Sequence, residues 1–193
     1  MADPVLHVIA GPNGAGKSTF YNKVLRPVTH LEFVNADLIA ARRWPGDAMQ
    51  HAYEASKLAA DTRARLMQER RSFVTETVFS HESKLDLLHE AMQRGFRVTL
   101  HIVLIPEELS VARVANRLAN GGHDVPEAKI RERFTRLWGH LRDAIELVDE
   151  SRVYDNTQAN TPYKLVATYI HGYATTSPEW PPWTPPELRD AGR

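Results

Sequence analysis

"VIAGPNGAGKST", residues 8–19, closes a short apolar run with a loop of three glycines and a lysine. The stretch from Gly11 to Ser18 satisfies G-x-x-x-x-G-K-[ST]. Ahead of it, Val5 to Ala10 is apolar and bounded by Pro4 and Gly11, which predicts a buried strand. Behind it, Ser18 onward with Phe20, Val24 and Leu25 predicts a helix that stops before Pro27. Between strand and helix, glycines let the backbone curl so that successive N–H groups face a phosphate, and the helix N-terminus adds its positive end. Gly11, Pro12, Asn13, Gly14, Ala15, Gly16, Lys17, Ser18 and Thr19 form the expected nucleotide cradle. Lys17 is placed to reach the β- and γ-phosphates of ATP, and the Ser18 hydroxyl to ligate Mg²⁺. A dinucleotide loop fits less well, because no glycine sits three positions after Gly16.

Outward from this loop, strand and helix patterns alternate. Strands are expected at Leu31 to Val34, at Ser72 to Thr77 and at Arg97 to Ile105, with "RVYD" and "YKLVATYI" as the last candidates. Asp47 and Gln50 have capping-box spacing ahead of a long helix to about Arg71. A helix with Leu85, Leu88 and Met92 is ended by Gly95. Pro106 opens a helix to about Asn120, "GGHDVP" interrupts, and Pro126 opens another to about Glu150. This order predicts a three-layer α/β fold with a mostly parallel, five-stranded sheet and a helical lid. Residues 1–176 are expected to form that domain, with the lid at about 113–136. Residues 177–193 form a tail with five of the twelve prolines, expected to pack as a strap.

Composition narrows the functional classes. Twenty-four basic side chains balance twenty-four acidic ones, so no global field favours nucleic acid or an anionic membrane. The absence of cysteine excludes disulfides, thiolate metal sites and thiol nucleophiles, and fits a cytoplasmic setting. The nine histidines lack paired metal-ligand spacing. The N-terminus has no basic region ahead of its apolar run, and no run approaches the roughly 20 residues that span a bilayer.

Two carboxylates and a set of arginines supply candidate chemistry. Asp37 lies just beyond the second strand, at the edge where open α/β sheets place ligands, and suits the general base toward an acceptor hydroxyl. A helix N-cap is its structural alternative. Glu76 ends the third strand at the same edge, next to Thr77, and suits either Mg²⁺ through water or the acceptor; a partner to an arginine is its alternative. On the helix before "GGHDVP", Val111, Val114, Ala115 and Leu118 form the expected apolar face, with Arg113 and Arg117 opposite. On the next helix, Ile130, Phe134, Leu137, Leu141, Ile145 and Val148 make a stripe flanked by Arg131 and Arg133, with Arg136 further round. Guanidinium groups on two helix ends joined by Gly-Gly suggest a lid over phosphates, against the plainer reading of a solvated basic face.

Taken in order, "GPNGAGKST", "NADLIA", "TETVFSHESK", "RGFRVTLHIVLI", "RVANRLANGGHDVPEAKIRERF" and "VYDN" resemble the zeta-toxin family of P-loop kinases, over roughly residues 5 to 156. The resemblance implies a nucleotide-kinase-like fold and ATP-dependent transfer to a hydroxyl. Characterised toxins of that family phosphorylate UDP-N-acetylglucosamine on the amino sugar, and an antitoxin blocks their nucleotide site. It implies Lys17 as the Walker lysine, Ser18 as the magnesium hydroxyl, Asp37 as the base and Glu76 as an acidic acceptor-site position. Arg117 and Arg133 best match its phosphate-contacting arginines, with Arg113 or Arg131 as alternatives. Other small acceptors (a nucleoside, sugar or antibiotic) and a slow ATPase with a regulatory role remain the competing readings.

Overall fold

Every strand of the sheet's central portion buries both of its faces, and the alternation of side chains sorts them between two apolar layers. The computed structural model describes residues 3–119 and 125–192. Its strands are β1 (Val5–Ala10), β2 (Glu32–Val34), β3 (Phe73–Thr77), β4 (Arg97–Leu104), β5 (Glu150–Asp155), β6 (Lys164–Ile170) and β7 (Tyr173–Ala174). They form one sheet in the order β2-β3-β1-β4-β5-β6-β7. The first five neighbours run parallel and the last two pairings are antiparallel.

The sheet therefore has seven strands, not five. β5 and β6 form a true antiparallel pair at the far edge. The two-residue strand β7 follows β6 through His171 and Gly172, both with positive φ, as a tight hairpin turn requires. Two residues are too few for a sequence pattern to register.

Helices cover both faces. On one lie α1 (Lys17–Phe20), a π-helical turn (Tyr21–Leu25) and α2 (Arg26–Thr29). Phe20, Tyr21 and Leu25 pack there on Ile9, Val74 and Val103. On the other lie α4 (Ala52–Gln68), α5 (Ser83–Gln93) and α7 (Glu127–Leu147), whose apolar faces meet Leu6, Val8, Phe73, Leu100 and Ile102. Between β2 and α4 lies α3 (Ala36–Arg43). Between β4 and α7 lies α6 (Glu107–Ala119), and a short α8 (Pro186–Arg189) closes the chain.

Several local expectations shift. The first helix does not stop before Pro27. The π turn widens the ladder, with the Arg26 N–H bonding Tyr21 O, so Pro27 enters α2 in its first turn, where no N–H is needed. The Asp47–Gln50 capping box does not form; α4 starts at Ala52, and the Asp47 carboxylate instead pairs with His51 at 3.4 Å. On α6, Ala115 and Leu118 are exposed, while Ser110 and Val114 are buried. That helix turns a more polar face inward than its apolar pattern suggested, because what it covers is a loop of backbone carbonyls. Asn120 and "GGHD" of the expected hinge lie outside the described residues.

The tail crosses back over the main core. Leu188 is fully buried, Trp180 and Trp183 pack against the core, and the Glu179 N–H bonds Val166 O on β6.

Candidate active site

β1 lies where the order of the parallel strands reverses, between β3 and β4, so the loop after it opens into the crevice at their carboxyl ends. The crevice is a cavity of about 650 Å³. How the loop keeps its shape is visible in its carbonyls. Those of Gly11 and Pro12 accept from Lys17 Nζ at 3.0 and 2.9 Å. That of Asn13 accepts from Ser110 Oγ at 2.6 Å, and that of Gly14 from Arg113 Nη1 at 3.4 Å. That of Ala15 accepts from Asn156 Nδ2 at 2.8 Å, and that of Gly16 from the Tyr163 hydroxyl at 2.9 Å. In a trans peptide the N–H points opposite to the C=O. Carbonyls drawn outward therefore turn the N–H groups of Gly14, Gly16 and Lys17 toward the other side, the arrangement that an anion site requires.

None of the three glycines in this loop can be replaced without strain, since all have positive φ, and two of them also lack room for a Cβ. Gly11 (φ 141°) lies against the Val103 carbonyl, which a Cβ would strike. Gly16 (φ 92°) would bring a Cβ to 2.8 Å from Asn156 Nδ2 and 3.0 Å from the Tyr163 hydroxyl.

Ser18 stands in the first turn of the helix that follows, and β1 pairs β3 with Ile9 opposite Glu76. That register sets the Glu76 carboxylate over the first helical turn, and the Ser18 hydroxyl donates to its Oε2 at 2.7 Å. The adjacent Lys17 is 6% exposed. Burial pushes its pKa down; Glu76 and Asp37 push it up, and Arg117 and Arg133 oppose them. A hard hydroxyl and a hard carboxylate side by side suit Mg²⁺. Among the described residues no group of three or more histidine and acidic side chains is arranged to hold a metal ion by itself. A metal here would thus take its remaining oxygens from phosphates and water.

Asp37 stands in the first turn of α3, which β2 leads into. It is not the cap: Asn35 is, its side chain accepting the Leu38 N–H at 2.9 Å. Asp37 lines the cavity along with Glu76, Thr77 and Arg113, Arg117 and Arg133. The Thr77 hydroxyl oxygen also accepts the Phe79 N–H at 3.1 Å. Phe79 is a buried non-glycine at φ 68°, a strained turn that carries the chain from β3 toward α5.

Of the arginines, Arg113 is a buttress. It donates to Gly14 O and, at 2.9 Å, to Asn156 O. Arg131 is held by Glu108 at 2.6 Å, Glu127 at 2.9 Å and Glu107 at 3.5 Å, tying α6 to α7. Arg136 pairs with Glu132 on the helix surface. Arg117 and Arg133 line the cavity with Lys17, as Arg113 does.

Gly11, Pro12 and Ala15 do not line the cavity; they shape the loop from behind. Sequence reading missed Ser110, Asn156 and Tyr163. "VYDN" and "YKLVATYI" contained Asn156 and Tyr163 without giving either a role at the loop. Two cavity-lining cations, Arg63 on α4 and Lys84 on α5, were also missed. A helical row of small residues at Ala52, Ser56 and Ala59, ending in Arg63, was the available signal.

Comparison with known proteins agrees with this geometry at the level of fold. The chain is similar to AvrRxo1-ORF1 in complex with AvrRxo1-ORF2 (structures with sulphate ions and with ATP). In the sulphate form the TM-score is 0.71 and the identity 20%, covering 94% of this chain and 66% of that one. The chain thus spans slightly under two thirds of that relative's length. It is also similar to the PezAT toxin–antitoxin system of Streptococcus pneumoniae (TM-score 0.65, 13% identity, 87% and 72% covered). A putative kinase of Chloroflexus aurantiacus j-10-fl gives TM-score 0.56 at 18% identity, covering 70% and 79%. No curated protein matches by sequence. These likenesses establish an α/β fold of the P-loop kinase type. A family model described as AAA domain matches residues 6–137, well over half of the chain, and the chain belongs to that family of P-loop domains.

Proposed function

We propose that this protein is an ATP-dependent kinase that transfers the γ-phosphoryl group to a hydroxyl of a small molecule. One observation carries the reading: a phosphate loop, the Ser18–Glu76 pair and a carboxylate that caps nothing, Asp37, share one cavity. A hydrolytic switch also positions a polar group at its attacking water, so it is the open space for an acceptor beside Asp37 that favours a kinase.

In this reading the loop amides and Lys17 hold the β- and γ-phosphates. Ser18 and Glu76 would hold Mg²⁺, which would supply positive charge to neutralise the phosphates. The acceptor oxygen attacks the γ-phosphorus, the bond to the β-phosphate oxygen breaks, and ADP leaves. Asp37 takes the proton from the acceptor hydroxyl, while Arg117 and Arg133 stabilise the charge on the transferring group. UDP-N-acetylglucosamine is the first acceptor to test, supported by the zeta-toxin resemblance and the pneumococcal toxin–antitoxin neighbour. The same neighbour, with the two-protein AvrRxo1 complex, supports an antitoxin-like protein partner.

Asp37→Asn tests the reading. Acceptors are first screened by phosphorus NMR; ATP binding by calorimetry and transfer are then measured on one preparation. Transfer is expected to fall by about 10²–10⁴-fold, the range of general-base catalysis, with ATP affinity unchanged. Near-normal transfer would remove Asp37 from the mechanism.

A further inference from the structure

Across the cavity from the phosphate loop stands a wall the mechanism above does not use. α4 presents Ala52, Ser56, Ala59 and Arg63 to the cavity at helical spacing, and α5 adds Lys84 from its first turn. The alanines and the serine leave space beside the sheet edge. The two cations stand at its end, both half-buried.

These two charges are uncompensated. Burial disfavours the charged form of each, and Arg63 further depresses Lys84. Among the described residues, neither side chain has a hydrogen-bond or carboxylate partner. By contrast Lys17 has two carbonyl partners and Arg113 two in the same cavity. Two like charges brought together and partly desolvated destabilise each other until an anion joins them.

We infer that Arg63 and Lys84 form a second anion subsite, and that it receives a phosphate group of the acceptor. The inference rests on the kinase reading for its statement that this anion belongs to the acceptor. Two positive charges match a phosphate dianion or a pyrophosphate bridge better than a single carboxylate, and a guanidinium gives the planar fork that phosphate oxygens take. The acceptor would therefore be a phosphorylated compound, its phosphate held at this wall and its hydroxyl directed toward Asp37. Neutral sugars and nucleosides would lack the anchor.

The test uses the full chain with Mg²⁺ and saturating β,γ-imido-ATP, so that the phosphate loop is filled, and inorganic phosphate as probe, followed by phosphorus NMR. Wild type is expected to bind one further phosphate. Lys84→Gln and Arg63→Gln should each weaken it by roughly ten- to hundredfold, the usual effect of losing a charge-assisted contact, and leave nucleotide affinity unchanged. Arg63→Lys should retain most of the binding. If Arg63→Gln does not fold, Lys84→Gln decides. No further phosphate in wild type, or wild-type affinity in Lys84→Gln, would overturn the subsite, as would acetate competing as well as phosphate. Failure of wild type to bind the ATP analogue would sink the kinase reading instead. The subsite would then be decided in Lys17→Ala, by whether its phosphate binding depends on Lys84.

Discussion

At the scale of single residues, the sheet holds a titratable pair with no place in the chemistry. His7 on β1 and His101 on β4 meet through Nδ1 and Nε2 at 3.1 Å, and the other ring nitrogen of His101 is buried without a partner. Burial, then the neighbouring His7 and Arg152 charges, hold the His101 pKa down at about 3, against 6.5. The folded state thus resists a proton that the unfolded chain accepts. Stability contributed by the neutral ring is complete above pH 6.5 and falls as the pH drops from there toward 3, by up to about 1.4 kcal/mol per unit. Urea unfolding between pH 7 and pH 4 should show this slope, and His101→Gln should flatten it. An equal slope in the variant would move the cause elsewhere.

At the scale of elements, α6 and α7 carry arginines that look equivalent in sequence and differ in place. Arg131 spends its charge on three carboxylates that fasten the two helices. Arg133, two residues on, faces the cavity with Arg117. Arg133→Ala is expected to lower phosphoryl transfer by about 10²–10³-fold, as loss of a transition-state charge partner does. Arg131→Ala should change transfer by no more than about threefold, since its bridges are exposed and weakly coupled to the site. Turnover of both variants with a single acceptor separates the roles, and the reverse ranking would reassign them. The residue pattern could not make this distinction: both positions flank the same apolar stripe, and Glu107 and Glu108 reach Arg131 only because α6 folds beside α7.

At the scale of the whole molecule, the tail is tied into the main core by its own apolar side chains. Leu188 is fully buried and Ala191 nearly so, both within the main core. Leu188→Ala should cost about 2–5 kcal/mol, read as a lowered urea midpoint with an unchanged slope. A change near zero would make 177–193 an appendage. What the sequence determined alone was whatever local chemistry dictates. The strand–loop–helix around Gly11 to Ser18 is set by glycine's backbone freedom and by apolar periodicity, and the parallel α/β order by alternating elements. The carboxylates at strand ends were legible for the same reason. What only the tertiary structure decided was who meets whom across the sheet. Asn156, Tyr163 and Ser110 grip the loop's carbonyls from up to 147 positions away. Asn35 releases Asp37 from capping, and Arg63 and Lys84 come together from separate helices. Such encounters depend on strand order and register, which place residues distant in the chain at one sheet edge, and no local propensity encodes them.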